Sequence, residues 1–142
     1  IVSGSIKSNQ CKISTRHYNR IVFISQFSNN KKLFKTTFIE ADKKLKPSWF
    51  GLPVLINKKF ISKKNRFLDY LNKCGIETRP IISGNFINQK SVELYNLNPN
   101  KLKFKGAQEI EDRGFFIGIH TEPISNKKLS FISEKLLKIN EI

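Results

Sequence analysis

The sequence predicts an α+β fold, a small two-layer domain of about three strands with helices on one face of the sheet. Three observations carry this. Apolar residues recur at helical spacing in four segments, short β-forming runs alternate with those segments along the chain, and Gly, Asn or Pro marks most boundaries. The length of 142 residues suits one core rather than two. A hydrophobic share of 39% against 26% charged residues fits a folded domain and excludes disorder throughout.

The elements follow in order. Residues 12–34 read as a helix, with Ile13, His17, Ile21, Ile24 and Phe27 on one stripe and Asn29-Asn30 ending it. Segment 35–47 is polar and lysine-rich, a connection with at most one short strand at Thr37–Ile39. Ser48–Ile56 is a β-forming apolar run in which Pro53 demands an edge or a bulge. Ser62 is placed to cap a helix that runs to Cys74 with Phe67, Leu68, Leu71 and Cys74 on one face, and Gly75 sits where a left-handed residue is wanted. Ile76–Ile82 reads as a second strand, Gly84 opens a loop, and residues 86–100 are loop with at most one helical turn. Phe104–Arg113 is a short helix stopped by Gly114, and Phe115–His120 a third strand. A last helix starts at Ser125, with Leu129, Ile132, Leu136 and Ile139 on its apolar face. Two parts are expected: 1–40, a connecting helix and linker from an upstream large domain, and 41–142, the small α+β domain. The absence of methionine, position 1 included, reads as a processed chain or a piece of a longer one.

The net charge of +15 raises the question of nucleic acid. Of the basic residues 21 are Lys and five are Arg, and the lysines lie in pairs along the whole chain rather than in one cluster. Base reading favours the bidentate arginine fork, so a solvated lysine-rich surface is expected, and a basic nucleic-acid or anion-binding module stands as the alternative. No apolar run reaches the ~20 residues of a membrane span, and Ile1–Gln10 lacks the apolar stretch of a signal peptide, so no membrane association and a cytoplasmic location are expected. Cys11 and Cys74 alone support neither a disulfide framework nor a metal site.

No complete catalytic constellation is visible: G-x-S-x-G, G-x-G-x-x-G and G-x-x-x-x-G-K-[ST] are all missing. Three polar sites at strand ends are the candidates for binding. Glu77 and Arg79 lie two apart in an extended segment and project to one side, where an ordered guanidinium can hold a carboxylate, phosphate or hydroxyl; an ordinary solvated ion pair is the competing account. Asn85 follows Gly84 in a turn, where a turn-forming role competes, and His120 closes the third strand near Glu122.

Four blocks, taken together, carry a resemblance. They are Pro47-Ser48-Trp49-Phe50-Gly51-Leu52-Pro53, Gly75-Ile76-Glu77-Thr78-Arg79-Pro80-Ile81, Ser83-Gly84-Asn85-Phe86 and Gly114-Phe115-Phe116-Ile117-Gly118-Ile119-His120. Their order and spacing resemble the C-terminal part of the PLP-dependent sugar aminotransferase and dehydratase family, and within it the nucleotide-sugar 3-dehydratases. The likeness runs from about residue 12 to 139. It implies the small domain of a fold-type I enzyme, packed on a large cofactor domain in a homodimer that serves O-antigen deoxysugar biosynthesis. It implies PLP/PMP held mainly by the large domain, a nucleotide-linked keto sugar as substrate and glutamate as amino donor, with the C3 hydroxyl eliminated. A dehydratase carries His where an aminotransferase has the Schiff-base Lys, and that position is not in this chain. Transferred by motif, Arg79 is implied to bind the glutamate carboxylate or the sugar, Glu77 to order it, Asn85 to touch sugar hydroxyls, and His120 to lie near the substrate, while Trp49 is expected in the core rather than at the site. Two cysteines are too few for the iron–sulfur branch of the dehydratases. No metal is expected.

Overall fold

The structure, a computed structural model, describes the backbone of residues 2–30, 32–35, 44–45, 47–97 and 104–142, and side chains from residue 14 onward within that set. Helix α1 (Val2–Ser28) leads into β1 (Phe34–Lys35). Strand β2 (Gly51–Ile56) is followed by a 3₁₀ turn (Lys58–Lys63), α2 (Lys64–Lys73) and β3 (Thr78–Arg79). A short α3 (Lys90–Leu94), then α4 (Lys105–Arg113), β4 (Gly114–Gly118) and α5 (Asn126–Leu137) complete the chain. Among the described residues the strands form one antiparallel sheet in the order β1-β2-β4-β3. No described helix is long and apolar enough to cross a membrane.

Alternation along β2 and β4 decides which face is covered. Leu52, Val54 and Ile56 point inward with Phe115 and Ile117, and register pairs Leu52 with Ile117 and Val54 with Phe115. Phe23 and Phe27 of α1, Phe67 and Leu71 of α2, and Leu136 of α5 close over that face. A chain of rings crosses it: Phe27 stands edge-on to Phe34 at 5.2 Å, Phe34 lies 6.2 Å from Phe67, and Phe67 is edge-on to Phe115 at 6.4 Å. The α+β class and the helices on one face are therefore as expected. Phe23, Phe27, Leu33 and Phe34, which the sequence reading placed in the connecting helix and linker, are buried in this same core.

Several boundaries differ from expectation, each for a physical reason. The sheet has a fourth strand, β1, whose described residues pair Phe34 with Ile56 and Lys35 with Leu55. Within β2, Pro53 pairs with Phe116 of β4. The expected strand at 76–82 is only Thr78–Arg79, whereas α3 is the single helical turn allowed for within 86–100. Ser62 does not cap α2; Asn57, which accepts the Lys59 N–H at 3.2 Å, caps the 3₁₀ turn before it. Gly75 (φ +79°) and the Ser125 cap, accepting from the Lys128 N–H, stand where they were expected. Thr37–Ile39 lies outside the described residues.

The apolar stripe of α1 is also displaced. His17 and Ile21 are exposed, and the buried face is Asn19, Arg20, Phe23 and Phe27. Asn19 is fully buried and is spent on the turn after β4: its Nδ2 donates to the carbonyls of His120 (3.0 Å) and Glu122 (2.7 Å), and its Oδ1 accepts the Ile124 N–H at 3.2 Å. Replacing it with the near-isosteric Leu leaves two carbonyls and one N–H without partners. We expect Asn19→Leu to cost about 1–3 kcal/mol, read from the urea midpoint, with amide exchange accelerated selectively over 119–124. Unchanged exchange in that turn would show that Asn19 does not hold it.

Candidate functional site

The uncovered face of the sheet is where the polar candidates converge. Register places Arg79 opposite Phe116, which in turn faces Pro53 on β2, so these three share the open side. Glu77 stands beside Arg79. Its Oε1 accepts from Nε at 2.8 Å and from Nη2 at 2.6 Å, a fork closed on one oxygen. Both side chains are about two-thirds exposed (66% and 71%), so the pair adds at most about 1 kcal/mol to stability.

Two grooves meet at Glu77. The first, about 440 Å³, is walled by Phe50, Phe116, Pro80 and Ile82 and edged by Arg79 and Glu77. Phe50 stands edge-on to Phe116 at 5.8 Å. Gly51 and Gly118, paired across β2 and β4, leave the floor beside those rings bare. A Cβ on Gly51 would press to 2.7 Å from the Phe116 ring, whereas one on Gly118 would meet nothing within 4 Å. Gly51 is thus required by packing, and Gly118 keeps the floor low.

The second groove, about 520 Å³, runs along the turn that Asn19 holds, between Phe23, Ile119, Phe131 and Ile132, with His120, Glu122 and Lys128 at its rim. His120 is exposed, and its Nδ1 accepts the Glu122 N–H at 3.1 Å, which leaves Nε2 as the ring's donor.

Asn85 lies elsewhere. It is 2% exposed, its N–H donates to Glu111 Oε2 at 2.7 Å and its Nδ2 to Gln108 Oε1 at 2.9 Å, so its donors are engaged with α4, while its buried Oδ1 has no hydrogen-bond partner among the described residues. Asn88 adds donors to Gln108 and Glu111, and together they pin a turn in which Ser83 (φ 68°) and Gly84 (φ 48°) are both left-handed. Trp49 is half-buried against the core, with the Arg20 guanidinium 4.3 Å above its ring. The structure therefore brings together Glu77 and Arg79, sets His120 in the neighbouring groove, and gives Asn85 the position of a loop anchor. Phe50 and Phe116 are the members of the arrangement that sequence reasoning did not single out, although both lie inside blocks that carried the resemblance.

No protein-family model matches the chain. It is 28% identical over 125 residues to GDP-4-keto-6-deoxy-D-mannose 3-dehydratase of Escherichia coli, covering 84% of this chain and 31% of that protein. The structure superposes on the E. coli dehydratase with bound hydrated PLP at a TM-score of 0.71 and 25% identity, over 92% of this chain and 32% of the other. The chain is similar, in sequence and in fold, to a part of these dehydratases. It spans about a third of the length of the curated relatives it matches. A Helicobacter pylori aminotransferase of pseudaminic-acid type biosynthesis shares the fold at a TM-score of 0.69, over 91% of this chain and 33% of the other, with 20% identity. The resemblance read from the four blocks is thereby supported across nearly the whole chain.

The described residues by themselves do not form a seat for pyridoxal phosphate. The groove at His120 offers two carboxylates, Glu77 and Glu122, against one ammonium, Lys128, and the groove at Arg79 offers a guanidinium already forked onto Glu77. Neither donor set suits a dianionic phosphate, which favours converging N–H donors and uncompensated cations.

Proposed function

We propose that this chain is the C-terminal small domain of a PLP/PMP-dependent nucleotide-sugar 3-dehydratase, an enzyme that removes the C3 hydroxyl of a 4-keto-6-deoxy sugar with glutamate as amino donor. The observation that carries the proposal is the coincidence of sequence and fold similarity over the same stretch of chain, 84% by sequence and 92% by structure. Solved dehydratases of this type contain GDP-perosamine in one case and a trapped PLP–glutamate geminal diamine in another, which supports a nucleotide sugar as substrate and glutamate as donor. The cofactor, when bound by the remainder of such an enzyme, supplies the electron sink for elimination. A cytoplasmic homodimer is part of the same proposal.

Within that enzyme this domain binds and orients. Arg79 offers N–H donors and Glu77 an acceptor at the lip of the open sheet face, while His120 Nε2 offers a donor in the adjoining groove. With no seat for the cofactor among the described residues, the chain alone is expected to be inactive; PLP-dependent turnover by this chain would refute that. In the longer protein, Arg79→Ala is expected to lower kcat/KM on the order of 10–100-fold, the value of one or two hydrogen bonds to a charged donor. An unchanged kcat/KM would remove Arg79 from the site.

The deciding experiment expresses the chain together with whatever reading frame precedes it, adds PLP, reduces with borohydride and analyses the product by mass spectrometry. Cofactor bound without a covalent adduct is the expected result. A pyridoxyl-lysine would instead assign an aminotransferase, the second reading, and absence of cofactor binding would refute both. DNA binding with a steep salt dependence would favour the basic-module alternative.

A further inference from the structure

We propose that the outer surface of α2 and α5 is a docking face for an anionic lipid bilayer, one that holds the domain at a membrane surface without crossing it. This face lies across the sheet from Arg79, and binding there requires nothing of the dehydratase reading. The expectation of no membrane association concerns spanning and secretion. Adsorption needs only clustered cations with a few exposed apolar side chains among them.

The two helices lie side by side. Phe67 and Leu71 of α2 share the core with Leu136 of α5, Lys63 Nζ donates to the Asn140 carbonyl at 3.3 Å, and Tyr70 lies within electrostatic reach of Lys135 and Lys138. Arg66 and Lys73 of α2 and Lys127 and Lys128 of α5 are exposed and have no ion-pair partner among the described residues. Lys135 and Lys138 pair with Glu134 and Glu141. With Asp69 those are the acidic residues of this surface, so positive charge prevails on it. Two of the cations sit where the helix disfavours them. Lys127 and Lys128 occupy the first turn of α5, where no acidic residue stands and the partial positive charge of the helix end adds to theirs. That placement works against the helix and draws an external anion.

Residue type and spacing select a bilayer rather than a nucleic acid. Lys127, Phe131, Glu134 and Lys138 recur at intervals of four, three and four, which lines them along the outer face of α5, opposite the buried Leu136. Phe131 is 40% exposed and Leu137 46%; such groups gain by entering the headgroup boundary while lysine stems reach back to the phosphates. A duplex offers no such boundary. The Lys135 ammonium sits 5.0 Å over the Phe131 ring, so that face of the ring is closed to a stacking base. Arg66 is the one arginine among these cations, whereas base reading favours the guanidinium fork.

The test is co-sedimentation of the chain with vesicles of phosphatidylcholine alone and of phosphatidylcholine mixed equally with phosphatidylglycerol. Binding to the mixed vesicles only is expected, falling as salt is raised. Each lysine near an anionic surface contributes roughly fivefold in affinity, so the double variant Lys73→Gln, Lys127→Gln should bind on the order of 30-fold more weakly. Neither residue lines the two grooves of the candidate site. The matched control Lys90→Gln, Lys105→Gln removes two exposed cations from the first turns of α3 and α4 and should lose less than about threefold. Equal losses for the two double variants would overturn the proposal, because overall charge rather than this surface would then attract the bilayer. Binding to neither vesicle, or to both alike, would also overturn it. So would tighter binding of a double-stranded RNA through Lys73 and Lys127, which would assign the surface to nucleic acid.

Discussion

Phe115→Ala is expected to remove about 3–5 kcal/mol of stability, the largest loss for any single truncation in this core. Phe115 is fully buried on the central strand β4, opposite Val54, and its ring meets Phe67 of α2 edge-on. It is the last ring of the chain that begins at Phe27, so its removal opens a cavity between sheet and helices where the neighbours are themselves held by aromatic contacts and collapse poorly. With a total stability of roughly 5–15 kcal/mol for an ordinary domain, the variant stands near its unfolding threshold. Urea denaturation of the chain should show a lower midpoint with an unchanged slope. Phe115→Leu, which keeps most of the volume, should lose less than about half as much. Equal losses for both would mean that ring geometry rather than volume is what the site requires.

The parts of the fold that the sequence made legible are those set by local chemistry. Gly75 at positive φ, Ser125 as a helix cap, and the Leu129, Ile132, Leu136, Ile139 stripe each depend on residues within one or two turns of one another. The misreadings share a cause of the opposite kind. Apolar periodicity assigns Ile21 to the core and leaves Asn19 and Arg20 outside; the structure reverses this because long-range hydrogen bonds make a buried Asn worth its desolvation. Asn85 likewise looked available in a turn, yet its partner Gln108 lies 23 residues on, in another element. The Glu77–Arg79 pair was legible since spacing of two in an extended segment suffices to set it. The Phe50–Phe116 contact was not, since it exists only through the register of β2 against β4.

The buried ion pair of α4 gives the second large effect, and its direction is counter to exposure. Arg113, in the last turn of α4, has a side chain only 3% exposed; Nε donates to the Ile56 carbonyl at 2.8 Å and Nη1 to Glu109 Oε2 at 2.7 Å. Glu109 is 39% exposed and holds Lys58 with its other oxygen at 2.5 Å. Removing Arg113 with a Met of similar length leaves Glu109 with water and Lys58, and strands chiefly the Ile56 carbonyl, an expected cost of about 1–3 kcal/mol. Removing Glu109 leaves a buried guanidinium with one neutral acceptor, so Glu109→Ala is expected to cost about 3–5 kcal/mol although the residue lies nearer the surface. The double variant Glu109→Ala, Arg113→Met should then be more stable than Glu109→Ala alone, since no charge is left uncompensated. Urea unfolding of the three variants measures this. A Glu109→Ala loss below that of Arg113→Met, or a double variant whose losses simply add, would mean that water reaches the guanidinium and that α4 is held to β2 by packing rather than by the Arg113 bridge to Ile56.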